Sequence, residues 1–388
     1  MLHLALTTLL TLQSASASPG VNRNAPGSSS EAPAPTATAP RRATPTPHGR
    51  RTPPPTPTPS PTPHGPRGLL VVANKSDATV SILDAATGNT RATVSVEPGP
   101  HEVEILPDGK TAAVTDYGRG GVPGRYVSFI DLEAGRVSSR VDIGEGSRPH
   151  GLKALIDGRL LVTAEGKREL VVVDTKTGRI TMRAPTGHDV SHMVAASPEA
   201  RRAWVTSLRD GVVTVIDLST GKIIRDIKTG SGAEGVDVSP DGREVWVANR
   251  GANSLAIIDS HRLAVAGTIQ AGEFPIRVKF TPDGSRAVVS FTGSGDVGIF
   301  DVASRAEIKR IPIGREAVPG AQNRVFRKRF GSSPAPVGLL VAPDGARAWV
   351  SATHADVVSV IDLKAMRVED AWVAGREPDG LAGSFAKK

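Results

Sequence analysis

Residues 203–224, AWVTSLRDGVVTVIDLSTGKII, decide how this chain is read. Two short runs within it, WVTS and VTVID, alternate side chains with the period of a half-buried strand. A polar turn separates them, and a Ser-Thr-Gly turn follows Asp217. That is one hairpin and the start of the next, with no room for a helix.

Working outward, the second run returns as VSILD, VSFID, LVVVD, LAIID, VGIFD and VSVID, so that the aspartates are Asp84, Asp131, Asp174, Asp217, Asp259, Asp301 and Asp362. Their intervals are 47, 43, 43, 42, 42 and 61 residues. Upstream of each aspartate stands a partner run: VVAN, AVTD, LVTA, WVTS, WVAN, VVSF or WVSA. Turn signals fall between them, either PDG (at Asp108, Asp241, Asp283 and Asp344) or a glycine turn such as ATGN. Short strands at a period in the low forties, four to a unit, are the signature of propeller blades. The chain is therefore expected to be all-β, a seven-bladed β-propeller over residues 67–388. It enters at GLLVVANK, the second strand of a blade, while EPDGLAGSF near the C-terminus matches the first-strand segments RPHGLKAL and APVGLLVA. The last strand is expected to complete the first blade and leave no free sheet edge.

These units resemble the YVTN-type β-propeller repeat family, the YncE-like proteins of bacteria. The resemblance spans about Gly68 to Phe385, and WVTS, WVAN, SPDG and VSVIDLKAMRV carry it. It implies an exported binding or scaffold protein, with enzymatic propellers as distant relatives. One departure is IDGR at Ile156 to Arg159, where a blade lacks the usual proline.

The rest of the chain has a different composition. The first seventeen residues, MLHLALTTLLTLQSASA, hold a short apolar core and end Ala15-Ser16-Ala17, which reads as a secretory signal peptide. That run is too short to span a bilayer, and no later segment approaches the needed length. Residues 18–66 are dominated by Pro, Thr, Ser, Ala and Arg, a composition that buries no core and is expected to form a disordered linker. This linker carries five arginines and one glutamate, half of the chain's net +8, so the folded part is close to neutral. A high pI here is weak evidence for nucleic acid. With no cysteine, disulfides, cysteine nucleophiles and thiolate metal sites are excluded. A periplasmic or secreted monomer is the expectation.

Strand direction alternates within a blade, so the PDG and glycine turns share one face and the inter-blade loops the other. All length variation falls on the second face, near DYGRGGVPGRY and in a long insertion over residues 316–334. Function on a rigid scaffold favours such loops. Aligning the innermost strands gives one opening residue per blade: Asp379, His101, His150, His192, Glu234, Ile276 and Val337. His101, His150, His192 and Glu234 are thus candidate metal ligands, the donor set that Zn²⁺, Cu²⁺ or Ni²⁺ accepts. The competing role for these histidines is structural, capping the start of a strand. Asp379, His188 and His354 map to the same face as candidate ligand-binding residues. Tyr117 and Tyr126 flank a glycine-rich loop that suits flexibility and lacks the lysine of a phosphate loop. In the insertion, Arg324, Arg327, Lys328 and Arg329 alternate with Phe326 and Phe330, a mix suited to a polyanion or nucleic acid. Alternatively the phenylalanines fold onto the blade edge. The leading reading is a propeller that binds a protein, small molecule or polyanion on this face. A metal-dependent hydrolase or lyase at the channel mouth, with Glu234 as ligand or base, is the alternative.

Overall fold

A computed structural model describes residues 66–314 and 327–386. Over these residues the chain forms seven four-stranded antiparallel sheets, one per repeat. Apart from a 3-10 turn at Glu165–Lys167 and a helical turn at Arg327–Phe330, the described elements are all strands. The inner strands of blades 1 to 7 are Pro378–Phe385, Pro100–Ile105, Pro149–Ala154, Ser191–Ala196, Ala233–Val238, Pro275–Phe280 and Pro336–Val341. Each packs against the next, and the seventh packs against the first, which makes the ring. Closure is as the sequence predicts: Pro378–Phe385 pairs antiparallel with Gly68–Asn74, from Gly68 opposite Phe385 to Asn74 opposite Pro378.

Three recurring sequence features do identifiable work. The repeat-marking aspartate ends the third strand and holds its turn: Asp217 Oδ1 accepts the backbone N–H groups of Ser219 and Thr220 at 2.7 and 3.0 Å. The alternating apolar residues pack between sheets. Trp204 and Trp246, on neighbouring blades, are completely buried, as is Trp349. Each fully buried valine, leucine or isoleucine of these strands contributes about 1.5–3 kcal/mol of burial.

The third feature fixes the inner strands. Thr163 Oγ1 accepts the N–H of Gly151 within blade 3 at 2.7 Å and donates to the carbonyl of His192 on blade 4 at 2.6 Å. Thr115 relays in the same way between Glu102 and His150, and Thr206 between Met193 and Glu234. The inner strands approach so closely that a Cβ on Gly151 would stand 2.6 Å from the His192 carbonyl oxygen. Glycine after the opening residue is therefore a packing requirement in this blade.

Candidate functional site

Because the relay pins successive backbones in the same pose, equivalent side chains come out side by side. His101 and His150 have ring centroids 4.1 Å apart, and His150 and His192 have theirs 3.8 Å apart, tilted by 44° and 34°. All seven opening residues line one cavity of about 440 Å³ at the channel mouth. Tyr117 joins them, its ring edge-on to His101 and His150 at 5.1 and 5.5 Å. The glycine-rich segment beside it continues a strand ladder, with Gly118 opposite Pro123 and Arg119 opposite Val122. That extended hairpin carries Tyr117 and Arg119 over the mouth.

The polar side of the cavity is a network of buried charge. Glu234 receives Arg250 Nη1 at 2.6 Å, His192 Nε2 at 3.2 Å and Arg277 Nη1 at 3.4 Å. Burial alone would raise the Glu234 carboxyl, but these neighbours outweigh it and hold it at about 2. Asp379 likewise lies well below the usual carboxylate range: burial opposes this, and Lys75 at 2.6 Å with His101 Nδ1 at 2.9 Å overcomes it. Arg277 also pairs with Glu102 on blade 2. Blades 6 and 2 are not neighbours, so this pair reaches across the channel. Burial holds His150 well below the ordinary imidazole range, reinforced by His192 and His101, so the middle ring of the stack is neutral.

The other side of the cavity is apolar. Ile276 and Val337 pack with Phe274 and Phe330 in one buried cluster. Phe330 meets Phe274 edge-on at 4.8 Å, and the guanidinium of Arg329 lies 4.6 Å from the Phe274 ring centre. So Phe330 folds onto the blade edge. Arg324 and Phe326 lie outside the described residues, and Arg327 and Lys328 are described only in their backbone, in the helical turn.

Three other candidates stand apart from the cavity. His188 is held by Asp210 at 3.0 Å and Asp226 at 3.4 Å. His354 is fully buried with Nδ1 3.1 Å from the Ser333 carbonyl oxygen. Tyr126 lies under the Arg125 guanidinium at 5.6 Å. Sequence reasoning missed Lys75, Glu102, Glu165, Arg250 and Arg277. A signal existed for two of them: Glu102 and Arg277 directly follow the opening residue, where four blades carry glycine.

A family model, Cytochrome D1 heme domain, matches residues 157–276, less than a third of the chain. No curated protein matches. Among solved structures, hydrazine synthase of Kuenenia stuttgartiensis is similar at 19% identity and a TM-score of 0.62, over 74% of this chain and 90% of that one. A functionally unknown protein from Desulfotomaculum acetoxidans DSM 771 is similar at 15% identity and a TM-score of 0.68, over 82% of this chain and 100% of that one. At such identities the likeness shows the propeller fold alone. No helix among the described residues is long and apolar enough to cross a membrane.

Proposed function

We propose that this chain is an exported binding propeller that seats a small ligand in its channel mouth, a cationic or hydrogen-bond-donating head against the histidines and an apolar body against Ile276 and Val337. One observation carries the reading: the cavity divides into two chemistries. On its polar side the buried atoms without a hydrogen-bond partner are mostly electron-pair donors, Nδ1 of His150 and His192, Oε2 of Glu165 and Oδ1 of Asp379, against one N–H, Nε of Arg277. Such atoms, buried and unsatisfied, cost about 1–3 kcal/mol each until a donor or cation meets them. The leader-like first seventeen residues support export.

Haem, which the matching family model brings to mind, does not fit these residues. An axial histidine must offer a nitrogen to an open apolar slot. Within the matched residues, His188 is bound by two aspartates, His192 is stacked on His150, and His261 stands exposed on a turn of the opposite face. Hydrolysis with Glu234 as base is also disfavoured, since a carboxylate held at about 2 is a poor proton acceptor at neutral pH.

A matched pair of probes tests the reading. In the presence of a chelator, butylammonium should raise the melting temperature of the full-length protein by a few degrees, and butyrate should not. His150→Ala should remove the effect. Equal stabilisation by both probes, or by neither, would sink the reading.

A further inference from the structure

The structure assigns a transition-metal site to His150, Glu165 and His192, with Glu165 as the carboxylate ligand. This rests on the binding reading above and names the cation that the polar side takes.

Two clusters at the mouth bring imidazole and carboxylate atoms within 4.8 Å of one another: His150–Glu165–His192 and His101–Glu102–Asp379. Their chemistry separates them. In the second, each carboxylate already has a cation, since Lys75 and His101 meet Asp379 and Arg277 meets Glu102. Buried atoms without a hydrogen-bond partner occur in both, but only in the first does every residue offer one: His150 Nδ1, His192 Nδ1 and Glu165 Oε2. His150 is 2% exposed and His192 7%.

The tautomer of His192 follows from its neighbour. Its Nε2 lies 3.2 Å from Glu234 Oε1, so Nε2 carries the proton and donates it to that carboxylate. The lone pair is then on Nδ1, which faces Glu165 Oε2 at 4.0 Å. Two lone pairs facing each other call for a cation between them. Tetrahedral zinc at about 2.0–2.1 Å from nitrogen and oxygen sets its ligands roughly 3.4 Å apart, so atoms that lie within 4.8 Å of one another must draw together and the two rings must turn for the site to close. Glu234, itself held by Arg250, becomes the outer partner that orients His192. Glu165 stands on the 3-10 turn Glu165–Lys167, whose Gly166 packs so tightly on Gly146 that a Cβ there would lie 2.2 Å from its carbonyl oxygen. The ligand therefore sits on a fixed turn. Two nitrogens, one oxygen and a fourth position open to the cavity suit Zn²⁺, Cu²⁺ or Ni²⁺ rather than Ca²⁺ or Mg²⁺.

The test uses full-length protein without a polyhistidine tag, stripped with chelator and titrated with Zn²⁺ alone by calorimetry, with the visible spectrum of bound Co²⁺ as a second readout. One ion per chain is expected. Glu165→Gln should weaken binding at least tenfold and alter the Co²⁺ spectrum while melting like the parent; His192→Ala should also lose binding, at a lower melting temperature because Glu234 loses its imidazole partner. His188→Ala, outside the cavity, should bind as the parent does. No saturable Zn²⁺ binding, or parental binding by Glu165→Gln, would overturn the assignment. If butylammonium in chelator still stabilises the protein then, the binding reading survives without the metal.

Discussion

At the scale of single residues, Asp116 shows how burial favours the neutral form of a carboxyl. It is buried, accepts Ser128 Oγ at 2.7 Å, and burial raises its carboxyl to about 7. Its counterparts at the same strand position in blades 1 and 5 are Asn74 and Asn249, and Asn74 donates Nδ2 to Ser81 at 2.8 Å. The sign of the linkage follows from the raised value. Unfolded, the carboxyl ionises near its ordinary 3.8, so its contribution to stability is whole below that pH and is lost as pH rises through about 7. Asp116→Asn, able to donate to Ser128 as Asn74 donates to Ser81, should raise the melting temperature by a few degrees at pH 8. At pH 4 it should change little. Thermal melts across that range decide it, and an equal gain at both ends would show that the carboxyl is not the cause.

At the scale of the strand, every blade enters its inner strand through a left-handed residue: Gly99, Arg148, Val190, Gly232, Phe274, Ala335 and Glu377, with φ between 48° and 74°. Two blades use glycine there, and blade 4 uses a β-branched valine at φ 61°. That conformation costs a β-branched side chain about 1–2 kcal/mol, part of which a glycine gives back as unfolded-state entropy. Val190→Gly should therefore stabilise the protein by about 0.5–1 kcal/mol, read as a higher denaturant midpoint with unchanged slope. A lower midpoint would mean that the valine side chain matters more than its backbone. The same scale explains what was legible in advance. Strands, turns and ring closure were readable because each repeat states its own alternation and turn chemistry, and the opening residues followed from aligning repeats. Glu165 was not readable, because a short turn between two strands decides where its carboxylate points. Nor was the pairing of Arg277 with Glu102, since residues 175 positions apart meet only across a closed ring.

At the scale of the molecule, ring closure and the cavity share a segment. Deleting residues 377–388 would strip the inner strand from blade 1 and bare the edge of Gly68–Asn74. Aggregation or loss of a cooperative melt is expected, and a truncated chain melting within a few degrees of the full-length protein would reject closure as a stabilising device. The shared segment has a thermodynamic consequence. Asp379 opens the closing strand, and it is tied to Lys75 on blade 1 and His101 on blade 2. Any occupant that needs the cavity wall intact binds only the closed ring, so occupancy must oppose release of that strand. Amide hydrogens of Leu381 and Ala382 would then exchange more slowly in the loaded protein, and the seam becomes a gauge of what the mouth holds.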